Sequence, residues 1–598
     1  MRITNRMILN NSATNIGGTK TSVDYTNNQM TTQQKISRPS DDPVIAIRSL
    51  RLNTTLSKID QYYEKNIPDA ESWLDVTETA LLNMKSLITD FRTQCVKGST
   101  DTLTQTDRET IRQQLESLQS QIYLEGNADY AGRTVFTGFR TDKNLVFTEE
   151  DTLTSYDIKE YLRSSNVVEE CRYYTGDVLV PTTQGEVLNE TKYDLGGTLV
   201  DYNDTVQNDY YRIRTGYNTI EDLTGLTFEY GSTDNGSDAG VTFDMSTKAD
   251  TSLTYNVITY DKDGNQASST SAELKYSTVA ASDVPGVTNS TAKGDLYIFE
   301  SQEDWQLYTS TLANPDKPGE QMTGKYVGED DLVFIKETGE LVLGANKASQ
   351  IKTNDANIFI DYKKTGFKAG QLRPEYYYDC TKTSTSDVTE ESRLPIKYDK
   401  FEKDEDGKPK LYKGNFVTED YDIDYTVASN QPLAVNTQAS DAININIQRD
   451  MQEMLEVVNK SIAAHNKIEE LKIMKSESQY SSTDYQDKLD EWMALAQKEA
   501  DYADDNLQKL FSTELGRADK YLGEIAETLT DVGCTADQLR LTKERMSEQQ
   551  ETVKELKSKN DDLDLSQIII DYTSAYTAYQ SSLQAAGKLG ELSLLQYI

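Results

Sequence analysis

The sequence predicts an α+β multidomain protein. Both chain ends form one long antiparallel helical bundle, and a mainly β outer region is inserted between them. Three observations lead there. Apolar residues recur at alternating spacings of four and three over residues 45–95, the period of a helix that packs along another helix. The same alternation returns beyond residue 440. From about 142 to 433, threonine, tyrosine, aspartate and glycine dominate, and apolar residues alternate with polar ones as in strands.

Composition narrows the class of function. A chain of 598 residues has room for several domains. Its net charge of −38 repels phosphate backbones and anionic lipid, so neither nucleic acid nor a membrane is an expected partner. No run of eighteen apolar residues exists. The opening Met1-Arg2-Ile3-Thr4-Asn5-Arg6 leads into polar residues and not into an apolar signal core, so export would need another route. Cys95, Cys171, Cys380 and Cys534 are scattered without metal-ligand or redox spacing and read as ordinary thiols. His465 is the single histidine, which excludes a two-histidine zinc site. It lies among Val458, Ile462 and Ile468 on a helical stripe and reads as a seam residue, not a catalyst. No catalytic, cofactor-binding or metal-binding residue is expected.

Residues 1–43 are expected to form an N-terminal coiled-coil arm. Ile16, Val23 and Met30 recur every seven residues, with Lys20 and Asn27 at the intervening core position. So sparse a seam forms only against a partner. Ser37-Arg38-Pro39-Ser40-Asp41-Asp42-Pro43 follows. Its two prolines fix the backbone. Ser40, Asp41 or Asp42 can cap the next helix, and Pro43 suits that helix's first turn.

Residues 44–143 are expected to be a helical rod ending in a hairpin. Ile45, Ser49, Leu52, Leu56, Ile59, Tyr63, Ile67, Ala70, Leu74, Thr77, Leu81, Met84, Ile88, Phe91 and Cys95 keep the alternation. The rod core is read as Leu52, Leu56, Ile59, Leu74, Leu81, Met84, Ile88 and Phe91. One extra step of four falls between Tyr63 and Ile67, beside Pro68, where the helix should unwind locally and kink or break. Gly98 should end it. Thr106 to Glu109 reads as a capping box ahead of Ile111, Leu115, Leu118 and Ile122. Gly132 to Phe139 reads as a strand leading into a turn.

Residues 144–433 form the inserted region. Leu226 to Tyr230 and Ser252 to Tyr260 are strand-like. Asp261-Lys262-Asp263-Gly264-Asn265 and Asp404-Glu405-Asp406-Gly407 are acidic turns. Neither has the glycine and later glutamate that a calcium-binding EF-hand loop needs, and a hairpin turn accounts for both.

Residues 434–560 return to a helical rod. One stripe is Ile447, Met451, Met454, Val458, Ile462 and His465. Another is Leu489, Trp492, Ala496, Ala503, Leu507 and Leu510, with Glu499 as its one charged residue. A third is Leu539, Thr542, Met546, Gln549, Val553 and Leu556. The stretch from about 475 to 530 reads as an extra helical segment. Residues 561–598 form a closing coiled-coil helix with the seam Leu565, Ile569, Tyr572, Tyr576, Tyr579, Leu583 and Ala586, followed by the apolar Leu594 and Leu595. Cover for such a stripe is worth roughly 1.5–3 kcal/mol per fully buried side chain. The helix's own domain and other copies of the molecule are both candidates to supply it.

Both ends carry residues that resemble the flagellin superfamily, and within it the hook-associated protein 3 family. The marks are Met1 to Asn5, Ser37 to Pro43, Leu50-Arg51-Leu52, Asn66-Ile67, Trp73-Leu74, Thr77-Glu78, Ala80-Leu81, Asp107-Arg108 and Gly132-Arg133. Ala578-Tyr579-Gln580-Ser581-Ser582-Leu583 and Ser593-Leu594-Leu595 match that family's closing helix. Pro39 and Pro43 stand where flagellins usually carry small residues. The cysteines and Trp73, Trp305 and Trp492 are also unlike flagellins. The resemblance implies a structural subunit and not an enzyme, without a cofactor. It would be exported without a cleaved signal peptide through the flagellar type III channel, and would lie outside the cell at the hook–filament junction. The implied partners are other copies in a ring, hook-associated protein 1, flagellin, and an export chaperone on the C-terminal helix. The alternative is a filament flagellin with an adhesin-like outer domain that binds surface glycans through its tyrosines.

Overall fold

The computed structural model describes residues 5–591 except 101–102, 139, 175–177, 201–206, 231–238, 284–293, 315–316, 318, 320, 323, 385–394, 406 and 420. The chain divides into two compact units. The first comprises Met1–Leu74, Asp424–Val435 and Gly533–Ile598, and the second comprises Asp75–Ile423 and Asn436–Val532. The helical ends and mainly β middle read from the sequence are both present.

In the first unit, helix α1 (Asn5–Thr32) is followed by α2 (Pro43–Gln61), a π turn (Tyr62–Asn66) and the start of α3 (Ile67–Gly98). The end of a long helix, Thr483–Asp561, and a last helix, Leu565–Glu591, complete it. The long helix runs antiparallel to α2 and α3. Asn560 donates to the Ile45 carbonyl (3.2 Å), Gln550 to Asp60 (2.7 Å) and Lys543 to Glu71 (2.6 Å). Ile59, Ile67, Ala70, Trp73 and Leu74 are buried here, while Leu52 and Leu56 are half-buried.

The extra step between Tyr63 and Ile67 is absorbed by the π turn, where the Ile67 N–H bonds the Tyr62 carbonyl. The local unwinding expected there takes the form of this π turn, and the helix does not break at Pro68. The wide turn sets back the carbonyl that the ring would strike, so the chain stays helical through it. A hairpin, Asp424–Ala428 with Gln431–Ala434, covers this turn. Asn66 Nδ2 donates to the Thr426 carbonyl (2.8 Å), and the Tyr425 hydroxyl donates to Asp69.

In the second unit, Leu81, Met84, Ile88, Phe91 and Cys95 on α3 are fully buried. The Phe511 ring sits against Gly98 so closely that a Cβ there would lie 2.0 Å from it. Helix α4 (Gln105–Glu125) buries Ile111, Leu115, Leu118 and Ile122. Its capping box is Thr104 with Asp107, not Thr106 with Glu109. The helix starts two residues earlier than the hydrophobic stripe suggests, because Thr104 is where the backbone turns extended. The Gly132 expectation also shifts. Asp129–Tyr130 pairs with Arg133–Thr134, and Ala131 and Gly132 form the turn between them, both with positive φ. Val135 and Phe136 are buried beyond it; Phe139 lies outside the described residues.

Three short helices, α5 (Gln184–Leu188), α6 (Gln302–Thr309) and α7 (Ala345–Thr353), flank an extended sheet. Its main path is Ile396–Tyr398, Asp379–Ser384, Asp151–Arg163, Asn357–Phe367, Asp222–Tyr230, Ala239–Phe243, Gln266–Asp283, Asp295–Phe299, Leu332–Ile335, Glu340–Leu343, Gln207–Arg214 and Val168–Tyr174. All pairs on it are antiparallel except Asp295–Phe299 with Leu332–Ile335. Ala249–Tyr260 pairs off this path with Gln266–Asp283. Asp261 turns the chain between them by accepting from the Asp263 (3.0 Å) and Asn265 (2.9 Å) amides.

After α8 (Ala439–Ala442), helix α9 (Asn446–Ser476) and the first part of α10 (Thr483–Asp561) form an antiparallel hairpin. The segment expected around 475–530 is not separate: it is the end of α9, the hairpin tip and the first part of α10. It has a core of its own, in which Leu471, Leu489, Trp492 and Ala496 pack on Val178 and Val187. Glu499 on that stripe is buried because it accepts from the Val178 amide (3.0 Å) and from Lys467 (2.7 Å). His465 is half-buried and faces Asp504 at 3.0 Å, beside Arg108 and Ser461.

A buried ion network ties the sheet to these helices. Arg212 bonds Glu340 and Glu453; Arg214 bonds Glu453 and Asp450; Arg517 bonds Asp450 and Glu514; the Tyr521 hydroxyl bonds Asp450. Burial alone would raise the Glu453 carboxyl, but the guanidiniums of Arg212 and Arg214 outweigh it and bring it down to about 2. Burial and then the Asp450 charge hold Glu514 well above the carboxylate range.

Candidate assembly interface

The segment that closes the N-terminal arm is organised by two carboxylates with different tasks. Asp42 caps α2, accepting from the Val44 (2.9 Å) and Ile45 (3.2 Å) amides, with Pro43 in the first turn. Asp41 folds the preceding loop back by accepting from the Arg38 amide (2.9 Å) and from the Ser37 amide and hydroxyl. The Arg38 backbone bond, ahead of the other causes, holds the Asp41 carboxyl below its usual value. Ser37, Arg38, Pro39 and Ser40 are exposed loop residues, and of the three cap candidates only Asp42 caps the helix.

Helix α11 (Leu565–Glu591) packs antiparallel on α1. Their near ends are joined by backbone bonds, Lys35 N–H to the Asp561 carbonyl (2.8 Å) and Leu563 N–H to the Gln33 carbonyl (3.1 Å). On α1 the covered line runs through Ser12, Ile16, Thr19, Val23, Thr26 and Met30. The intervening seam residues are thus Thr19 and Thr26, not Lys20 and Asn27, because the spacing after Ile16 and Val23 is three and not four. Thr19 and Thr26 return their hydroxyls to carbonyls one turn back, which leaves their methyl groups for the seam.

On α11 the covered positions are Ile568, Tyr572, Ala575, Tyr579, Ser582 and Ala586. Tyr572, Tyr579 and Ala586 are therefore half-buried, and they form one line with a step of seven. Leu565, Ile569, Tyr576 and Leu583 are not covered; with Ile570 they are 43–59% exposed. A two-line seam needs helices on two sides, and α1 lies on one. Leu594 and Leu595 lie outside the described residues.

A second uncovered apolar face lies on α2, where Val44, Ile47 and Leu50 are exposed beside Arg48 and Arg51. The reading of the sequence missed it, because Ile45, Ser49 and Leu52 complete a heptad stripe on the opposite side. A second stripe on the outer face was the available signal. This unit is nearly balanced in charge, with 16 Lys and Arg against 18 Asp and Glu. Its exposed apolar faces are therefore not shielded by like-charge repulsion.

Cys95 and Cys380 are buried free thiols, raised by burial; Cys534 is exposed, and the Cys171 side chain lies outside the described part. Among the described residues no group of three or more potential metal ligands converges. No helix there is long and apolar enough to cross a membrane.

Residues 3–141 match the model of the bacterial flagellin N-terminal helical region. Flagellar hook-associated protein 3 of Escherichia coli is 28% identical over 123 residues, which is 20% of this chain and 38% of that protein. Its counterpart in Salmonella typhimurium is 24% identical over 143 residues, covering 24% of this chain and 45% of that protein. The chain thus spans less than half the length of these curated relatives. Among solved structures, hook-associated protein 3 from Legionella pneumophila aligns over 85% of this chain and 97% of its own, at 9% identity and a TM-score of 0.27. The junction protein FlgL of the same species aligns over 86% and 99%, at 10% identity and a TM-score of 0.26. The resemblance to the flagellin superfamily read from the sequence is met by the family model, and the resemblance to hook-associated protein 3 by the curated relatives.

Proposed function

We propose that this chain is a structural subunit of the bacterial flagellum that joins hook to filament by packing its terminal helices against those of neighbouring copies. One observation carries the reading: α11 has a regular apolar line, Ile569, Tyr576 and Leu583, beside the line that α1 covers. Covering the exposed half of each of these side chains adds about 1 kcal/mol apiece. Repeated around a ring, that is enough to select the assembled state. The exposed Val44, Ile47 and Leu50 on α2 offer a matching surface on the same unit.

In this reading residues 1–43 and 561–598 are the arm that orders further on assembly, and 44–143 with 434–560 are the rod. Residues 144–433 are the outer region, whose acidic surface faces solvent. Hook-associated protein 1 lies on one side of the ring and flagellin on the other. Before export a chaperone covers the exposed line on α11, and the chain leaves the cell without a cleaved signal peptide. No catalytic role is assigned.

Deletion of residues 565–598 tests the reading. The truncated chain should not enter the flagellum, and cells that make only this form should lack filaments. Normal incorporation would end the assembly role. Labelled full-length chain should mark one point at the filament base; label along the whole filament would make it a filament subunit instead.

A further inference from the structure

A cavity of about 300 Å³ opens between residues 136–138, Arg140, residues 375–376 and 397–400, Tyr421 and residues 438–439, all within the second unit. The proposed assembly does not use it. That volume is at the lower end of small-molecule sites.

Its charge differs from its surroundings. The unit carries 45 Lys and Arg against 81 Asp and Glu. Yet the cavity wall holds Arg140, Lys397 and Lys400 against only Glu375 and Asp399. Asp399 is engaged by Lys397 (3.0 Å) and Lys403. Glu375 faces Arg140 at 3.9 Å. Lys400 is left over: it is buried, and its ammonium donates to the amide oxygen of Gln438. No carboxylate lies within ion-pair distance of it among the described residues. Burial brings its pKa down to about 8. Its ammonium also lies 5.8 Å from the Tyr421 ring centroid, and the one carboxylate that acts on it, Asp441, stands beyond ion-pair distance, so a buried ammonium here lacks a paired counter-charge.

Three polar atoms at the cavity are also unsatisfied. Arg140 Nη1, Glu375 Oε2 and the Tyr376 hydroxyl are buried and have no partner of hydrogen-bond geometry among the described residues, though the Arg140 side chain interacts with Tyr398 and Glu375 with Tyr156. Buried polar groups are seldom left so. Tyr398, with the Arg140 guanidinium 4.6 Å from its ring centroid, and Tyr421 supply aromatic surface.

We propose that this cavity binds an acidic monosaccharide, a hexuronate. Its carboxylate is held by Arg140 and Lys400, its hydroxyls bond Glu375 Oε2 and the Tyr376 phenol, and its ring lies on the tyrosines. A simple carboxylate would leave the Glu375 and Tyr376 atoms unused. A neutral sugar would leave Lys400 with no closer anion than Asp441.

The test is saturation-transfer NMR and calorimetry on the full chain with sodium glucuronate, glucose and sodium acetate as separate probes. Glucuronate should bind saturably, with glucose and acetate weaker by about tenfold or more. Arg140→Gln and Lys400→Met should each weaken glucuronate by about tenfold or more while leaving the melting curve in place. Should either variant fail to fold, Tyr376→Phe, which keeps the ring and removes one hydroxyl, must weaken binding severalfold. No saturable binding of glucuronate up to about 10 mM overturns the proposal. So does glucose or acetate binding as tightly, or undiminished binding by folded variants.

Discussion

The two units of this molecule handle charge and apolar surface in opposite ways. The unit built from the chain ends has 16 basic and 18 acidic residues, and it leaves apolar lines on α2 and α11 exposed. The unit between them has 45 basic and 81 acidic residues. It buries its apolar strands and joins sheet to helices through a closed network of guanidiniums and carboxylates. One leaves regular apolar lines uncovered as a single chain, and the other pairs most of its buried charges internally. Near-neutrality lets copies of the first approach each other, while a strongly acidic surface keeps the second solvated. Assembly and solubility are thus assigned to different parts of one chain.

The contrast can be broken hardest at the ion network. Asp450→Ala removes the carboxylate that Arg214 and Arg517 share, leaving them only Glu453 and Glu514 respectively, and it should destabilise the second unit by about 3 kcal/mol in urea unfolding. A loss below about 1 kcal/mol would mean that the network is not what holds helices to sheet.

Glu514 gives the network a pH signature. Its carboxyl binds a proton more tightly folded than unfolded. Its contribution is therefore full below the ordinary value of 4.5 and drains away as pH rises through the raised folded value. Asp450 works in the opposite sense. Burial opposes its ionisation, but Arg214 and Arg517 outweigh that, so its contribution is lost as pH falls below 3.8 toward the depressed folded value. Glu514→Gln should gain stability over the parent as pH rises above 4.5, and curves that stay parallel there would remove Glu514 from the account.

In the terminal unit the effects are smaller. Asp42→Ala removes the two amide bonds at the start of α2 and should cost about 1 kcal/mol. Asp41→Ala should cost less helix stability, since Asp41 bonds the loop and not the helix amides. Equal losses from the two would return the cap to a shared role.

The smallest effect on the single chain tests the comparison most sharply. Ile569→Ser with Leu583→Ser should change monomer stability by no more than about 0.5 kcal/mol, as exposed substitutions do. The same pair should stop incorporation into flagella. A large loss of monomer stability would show that this line is internal core after all.

Much of the helical half was legible because heptad spacing reports directly which side of a helix is apolar. The extra step between Tyr63 and Ile67 marked where the winding changes, at the π turn Tyr62–Asn66, since an added residue must go somewhere in the winding. Errors followed where two spacings were equally open. Thr19 and Lys20 both complete a heptad after Ile16, and a threonine that hides its own hydroxyl is not visible as an apolar seam residue. The cavity around Arg140 and Lys400 was not legible at all, because its walls are gathered from segments as far apart in sequence as 136–138 and 438–439.

By itself, the sequence determined where the long terminal helices lie, that the region between them is rich in strands, where the helix before Ile67 takes its extra step, and that both ends carry apolar lines. These are local matters, set by the periodicity of side chains along one segment. Only the tertiary structure decided which line on α11 is covered by α1 and which is left exposed. It alone also decided that the segment near 475–530 folds into a hairpin on Val178 and Val187, and that Arg212 and Arg214 meet Asp450 and Glu453. The reason is physical: burial and pairing depend on what arrives from distant parts of the chain, and a one-dimensional pattern fixes the face of an element but not its neighbour.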